Sequence, residues 1–357
     1  MHDLAQAPRA SALPQVMPKK WHRPERLLLF YDGYELRAEP TLSGRIYAKI
    51  RQDARSVVRV LRGVQVTTGF GTWFAMLCQA LRHVGCDIRV NDFTAARREP
   101  GTLIGVAGFP SVLRKIASLP NPRLLGPGLY SAPTQNARLF EDPRNVAYLL
   151  TCDWQKDMFR PWFGDRLLPW FGGLDLSVFP DSRTATKHYD VLIYDKIYFD
   201  RGRHLSNTIA RFREILLDAG LTCAYVRYGQ HRRQDYLGLA QASRCMAFFA
   251  HSETQGMAYQ ECLAMNVPVF AWDEGTWPDP IAAKLGSGAV ACTSVPYFSS
   301  ECGMTFTAAN MAARWEEFRG RIPLFRPRDY VARHLTLADS AAAYLAAYAH
   351  AQATAGC

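Results

Sequence analysis

Short apolar runs alternate along the chain with stretches in which charged and apolar residues recur at helical spacing. "RLLLFYDGYEL", Arg26 to Leu36, is compact and apolar enough for a buried strand, and "GRIYAKIRQDARSVVRVLRG", Gly44 to Gly63, carries the helical period. "VQVTTGFGTWFAMLCQALRHVGCDIRVNDF" predicts a glycine-bearing turn at Gly69 and Gly71, a helix through His83, a stop at Gly85 and a strand over Ile88 to Val90. "GTLIGVAG" and "PRLLGPGLY" read as further strand ends, and "VAYLLTCD", Val146 to Asp153, closes a first half.

"DSRTATKH", Asp181 to His188, is polar and aperiodic, which suits a linker. The rhythm then restarts. "YDVLIYDK" predicts a strand, His204 to Ala219 a helix, "TCAYVRYG" a strand, Gln234 to Ser243 a short helix and "CMAFFA" a strand; Gln255 to Met265 reads as a helix and "VPVFAWD" as a strand. Strand–helix repeats with right-handed crossovers build parallel sheets covered on both faces. The fold class expected is therefore α/β, with two Rossmann-like, doubly wound parallel-sheet domains facing a cleft at the strand C-termini. The division expected is an N-terminal arm at 1–24, a first domain at 25–180, a second at 181–325, and a C-terminal segment at 326–357 whose Ala-rich helix returns towards the first domain.

Composition narrows the chemistry only partly. Lys and Arg outnumber Asp and Glu by 42 to 32, a formal charge of +10, so the surface favours anionic partners such as nucleotide sugars or lipid headgroups. No nucleic-acid-reading motif accompanies the scattered basic residues, so no nucleic-acid partner is expected. The nine cysteines are odd in number and contain no CxxC pair, which argues against a disulfide framework and a zinc site and fits reduced thiols in the cytoplasm. Neither a signal-peptide core nor an apolar run of membrane-spanning length is visible. The expected location is cytoplasmic, with peripheral docking of the basic face on the inner membrane leaflet also open.

The densest chemistry lies in "HSETQGMAYQECLAMNVPVFAWD", His251 to Asp273. Glu253 falls in a loop at the carboxyl end of a strand and Glu261 inside the following helix. Gly256 between them permits close backbone approach, and the first helical turn offers N–H groups to an anion. Carboxylates accept hydroxyl pairs well, so the arrangement suits a molecule with hydroxyls on both sides of a diphosphate. Taken alone, the residues are better explained by a surface glutamate on an amphipathic helix and a dipole partner at its start. "YDKIYFDRG", Tyr194 to Gly202, adds Lys196 and Arg201 around a turn, where solvated charge is the ordinary reading.

Residues 253–269, "ETQGMAYQECLAMNVPV", resemble the E-x7-E segment of retaining GT-B glycosyltransferases of the family 4 type. Both glutamates, Gly256, Ala264 and Pro268-Val269 stand in register; Thr254 and Gln255 replace a usual Gly-Phe, Leu263 a Met, and Asn266 a helix-ending Gly. "YDKIYFDRG" is similar to the family's V-G-R-x-x-x-x-K-G turn with its two cations exchanged, and "WFGGLDLSVFP" to its N-G-V-D-x-x-x-F-x-P segment with Gly172 in place of Asn. "TTGFGTWFAMLCQALRHVGCDIRV" resembles the first domain's glycine loop, helix and strand.

This resemblance implies transfer of a sugar from a nucleoside-diphosphate sugar to an acceptor hydroxyl, with retention and without metal or other cofactor, in the synthesis of a glycan, polysaccharide or glycolipid. Its partners would be that donor and a glycan or lipid-linked acceptor. Glu253 would meet the donor sugar and Glu261 the ribose, while Lys196 and Arg201 clamp the diphosphate. Thr254, Gln255, Gly256, Met257 and Gly229 fall to donor binding, the last through the loop "RYGQHRR"; Gly69 and Gly71 form a loop for phosphate or acceptor. His251 is a further candidate beside Glu253, and Asp153 one at a first-domain strand end. The first domain otherwise lacks the histidine many relatives place there. A nucleotide-sugar epimerase on the same scaffold and a non-catalytic nucleotide-sugar-binding protein stay open as alternatives.

Overall fold

The computed structural model describes residues 24, 26–32, 69–285 and 289–356. The predicted helix at Gly44 to Gly63 and nearly all of the predicted arm lie outside them.

The first sheet takes β1 (Arg26–Asp32), β2 (Asp87–Val90), β3 (Ile104–Gly108), β4 (Arg123–Gly128), β5 (Asn145–Leu150) and β6 (Leu167–Pro169), in the order β2-β1-β3-β4-β5-β6. All its pairings are parallel. β3 is buried at every position, as a strand covered on both faces must be. One cover is α1 (Gly69–His83), whose Leu77, Ala80 and Leu81 enter a core with Leu27 and Leu29 of β1. Short helices α2 (Phe93–Arg98) and α3 (Ser111–Lys115) and the longer α4 (Asp153–Phe163) contribute to the opposite core.

The second sheet runs β11-β10-β9-β7-β8, again all parallel: β7 (Tyr189–Lys196), β8 (Cys223–Arg227), β9 (Ser243–Ala250), β10 (Val269–Trp272) and β11 (Gly303–Phe306). Between β7 and β8 lies one continuous helical run, α5, made of α-helical Arg201–His204, π-helical Leu205–Ala210 and α-helical Arg211–Asp218. The helices α6 (Arg233–Gln241) and α7 (Met257–Ala264) follow β8 and β9. Then come α8 (Met311–Arg321), α9 (Pro327–His334) and α10 (Leu337–Ala355).

α10 packs on α1, with Tyr344, Leu345 and Tyr348 in the same core as Leu77 and Leu81. The Tyr348 hydroxyl donates to the Leu103 carbonyl at 2.7 Å and Ser340 Oγ to that of Phe171 at 2.7 Å. Thr336 caps its N-terminus, accepting from Asp339 N.

Several local expectations are corrected. Gly69 and Gly71 are in the first turn of α1, so helix takes the place of the predicted turn. The helix expected over Gln255 to Met265 begins two residues later, after a left-handed Gly256 (φ 76°), and Glu261 is its fifth residue. Past Val146 to Asp153, read as closing the first half, the chain continues directly into α4, which carries Pro161 in its last turn. Asn266 adopts the left-handed conformation (φ 63°) that usually falls to glycine after a helix.

Candidate functional site

β7, β8 and β9 are adjacent and parallel, so their carboxyl ends open on one side of the second sheet. A cleft of about 220 Å³ lies there, lined from the other half of the chain by Phe70, Thr72 and Trp73 near the start of α1. Lys196 reaches it as the last residue of β7, Tyr228 and His231 come from the loop after β8, Arg233 opens α6, and Glu253, Thr254, Gly256, Met257 and Glu261 come from the β9–α7 connection.

The two glutamates are nearly buried, each 9% exposed, and each has its own cation. Lys196 Nζ lies 2.5 Å from Glu253 Oε1 without an aligned hydrogen bond, and it sits 4.6 Å from the centre of the Tyr228 ring. Arg233 Nε donates to Glu261 Oε1 at 2.8 Å, with Nη2 2.6 Å from the same oxygen. Burial pushes the Glu261 carboxyl above its usual range while Arg233 opposes the shift. Glu253 is oriented through its backbone: its carbonyl accepts from Trp154 Nε1 at 2.8 Å and its N–H donates to the Thr293 carbonyl at 3.0 Å. Trp154 belongs to α4, so the first half of the chain fixes the loop that bears Glu253.

Gly256 is required twice over. Its φ is left-handed, and a Cβ there would overlap the Tyr259 ring. No side chain caps α7, so its first-turn N–H groups are presented beside both glutamates.

Seven candidates do not line the cleft: Gly69, Gly71 and Gly229 only adjoin residues that do, and four others are engaged elsewhere. Arg201 does not line the cleft: Nη1 and Nη2 hold Asp195 Oδ1 and Oδ2 at 2.8 and 2.5 Å, and Nη1 also donates to the Ile197 carbonyl at 3.0 Å. Asp195 is fully buried and takes a further hydrogen bond from the Tyr225 hydroxyl, so Arg201 neutralises a charge beneath the strand end. Gln255 is buried, and its side chain clamps both backbone groups of Gly172, accepting from N at 2.8 Å and donating to O at 2.7 Å. His251 points to the far side of the sheet, its ring centre 4.9 Å from that of His204 and 5.0 Å from that of Trp272, with both ring nitrogens buried and unpartnered. Burial first, and His204 second, bring its pKa down to about 4. Asp153 opens α4 and lines a separate cavity of about 550 Å³ with Asp273 and Arg314.

Gly229 sits at φ 75° in the turn that presents Tyr228 and His231, with open space where a Cβ would be. Two other aspartates at strand ends, Asp92, which caps α2, and Asp32, which pairs with Lys115 at 3.1 Å, do not line the cleft. The lining residues that sequence reasoning did not name are Tyr194, Tyr228, His231, Arg233, Tyr236, Ala258 and the α1 trio. Arg233 was legible only as one end of "RYGQHRR"; nothing in that loop shows that it pairs with Glu261. Among the described residues no group of three His, Cys, Asp or Glu side chains is placed to hold a metal ion, and no helix is long and apolar enough to cross a membrane.

No family model and no curated protein matches the chain by sequence. Solved structures do resemble it. Sucrose-phosphate synthase from Thermosynechococcus elongatus is similar over 92% of this chain and 99% of its own, at 12% identity and a TM-score of 0.54. AviGT4, a glycosyltransferase involved in avilamycin A biosynthesis, is similar over 92% and 98%, at 12% identity and a TM-score of 0.50. The chain spans 58% of the length of TarM, with 76% of itself, 9% identity and a TM-score of 0.48. The likeness shows the fold: two parallel-sheet α/β domains in the GT-B arrangement of glycosyltransferases.

Proposed function

We propose that the protein is a glycosyltransferase that moves a sugar from a nucleoside-diphosphate sugar to an acceptor hydroxyl, with retention and without a metal ion, in the cytoplasm and in the synthesis of a glycan, polysaccharide or glycolipid. The observation that carries this reading is the convergence of Glu253, Glu261, Lys196 and the uncapped start of α7 on one cleft between the sheets. Glu253 accepts from hydroxyls of the donor sugar and Glu261 from those of the ribose. Lys196, at the strand end, exchanges Glu253 for the diphosphate and stabilises the charge that grows on its oxygens as the sugar leaves. Charge supplied by Lys196 and by the α7 N–H groups takes the part a divalent cation would otherwise play.

The test is transfer from a panel of nucleoside-diphosphate sugars to hydroxylated acceptors, with product linkage read by NMR. Transfer with retained anomeric configuration supports the reading; donor left intact with every acceptor removes it. Turnover abolished by EDTA and restored by a divalent cation would remove the metal-independent part. A non-catalytic nucleotide-sugar binder is the second reading, favoured by the fact that Phe70, Thr72 and Trp73 are the described first-half residues lining the cleft, none of them an acid or base. Slow donor hydrolysis over hours separates the two, since a binder leaves the donor unchanged.

A further inference from the structure

We propose that Arg233, not Arg201, is the second cation that receives the donor diphosphate, and that it does so while still tied to Glu261. The inference rests on the nucleotide-sugar reading above and deepens it.

Among the described residues lining the cleft, the lysine and arginine side chains are Lys196 and Arg233. Arg201 has no capacity to spare. Both of its terminal nitrogens are engaged by Asp195, one also by the Ile197 carbonyl, and the carboxylate they neutralise is fully buried. Withdrawing Arg201 towards a ligand would strand that charge in the protein interior.

Arg233 is arranged differently. A guanidinium carries five N–H groups in a fixed plane. Nε and Nη2 of Arg233 meet a single oxygen, Glu261 Oε1, so that Nη1 and the second Nη2 hydrogen have no hydrogen-bond partner among the described residues. The side chain is half exposed, lines the cleft, and has the Phe179 ring 5.8 Å from its Cζ. Glu261 is held in the interior by α7 and anchors one edge of the guanidinium, leaving the other edge for an anion. The same carboxylate keeps Oε2 for hydroxyls. One bridged pair thus serves the ribose and the adjoining phosphates together, and the guanidinium is ordered before the ligand arrives.

Charge balance points the same way. Lys196 with Glu253 and Arg233 with Glu261 sum to zero, so a diphosphate entering beside Lys196 alone would leave its second phosphate facing carboxylates. The N-terminus of α7 adds positive potential to that neutral set, and the free edge of Arg233 turns its N–H groups on the second phosphate. A lysine at 233 could not do this, because a point charge cannot hold Glu261 and a phosphate on two edges of one plane.

Isothermal titration of the full-length protein with UDP, GDP, ADP and CDP, and with the four parent nucleosides, tests the inference. The expected result is that Arg233→Gln weakens the best-bound diphosphate by roughly 10- to 100-fold, the value of a charge-assisted hydrogen bond, and changes the matching nucleoside far less. Arg233→Lys should lose nearly as much and guards against an unfolded glutamine variant. If either folded variant keeps wild-type preference for diphosphate over nucleoside, or if Arg201→Lys shows the phosphate-selective loss instead, the inference is overturned and the transferase reading stands. Wild-type protein that binds none of the four diphosphates removes both.

Discussion

Two ion pairs leave the end of β7 in opposite directions. Asp195 and Lys196 are neighbours on a strand, so their side chains project to opposite faces. Asp195 is sealed, with Arg201 on both carboxylate oxygens and the Tyr225 hydroxyl completing its shell. Lys196 faces the cleft, meets Glu253 without an aligned hydrogen bond and carries the Tyr228 ring beside it. The same charge chemistry thus yields one pair sealed in the interior and one open to the cleft. The difference lies in solvent access and in how many hydrogen bonds each pair has already made.

The comparison is sharpened most by Lys196→Ala. Steady-state transfer should fall roughly 100- to 1,000-fold, the usual cost of removing one group aimed at developing charge, with an unchanged circular dichroism spectrum. A wild-type rate would show that the open pair does no chemistry. Arg201→Met should act on stability instead, lowering the unfolding free energy in urea by on the order of 3 kcal/mol, because a buried carboxylate loses its cation.

The same variant has a pH signature. Burial would raise the Asp195 pKa, but Arg201, Tyr225 and the Ile197 N–H overrule it and hold the group below its usual value. Its contribution is therefore complete above the unfolded value of about 3.9 and lost as pH falls through the folded one. Arg201→Met should flatten the acid limb of a melting-temperature profile below that pH; an unchanged limb would count against the sealed pair.

Smaller effects mark the edges of the site. Trp154→Phe removes the donor to the Glu253 carbonyl and should cost about 1 kcal/mol of stability, with a larger loss of transfer than of donor binding, measured by kcat against KM. His251 adds a pH term of its own. Its folded pKa of about 4 lies below the unfolded value of about 6.5, so the unfolded chain gains the proton first and stability declines as pH drops from one to the other. His251→Gln should remove that decline in thermal melts while transfer at neutral pH persists.

Two positions show why part of the site was hidden. Gly172 and Gln255 each depart from the family pattern that the sequence resembles, and they are 83 residues apart. In space each explains the other: the Gln255 amide fills the room that the absent Gly172 side chain leaves and bonds both of its backbone groups. The resemblance offered Gln255 as a donor contact, but a place in a motif says nothing about which way a substituted side chain turns. Arg233 was obscured in the converse way, since its partner Glu261 is 28 positions further on. Most strands, by contrast, were legible to within a few residues, because a parallel strand covered on both faces is rich in apolar residues, whereas the short β6 and β11 went unread.

Local chemistry along the chain was enough to determine the alternation of strands and helices, the two parallel sheets and the glycine that lets α7 start between two glutamates, since each depends on residues within a few positions of one another. Which charges share the cleft was decided only when the sheets and their connecting loops came together. An ion pair's worth depends on burial and on competing partners, and both are properties of the packed molecule: that is why Lys196 and Arg233 face the cleft, while Arg201, a short turn beyond Lys196, is held beneath it.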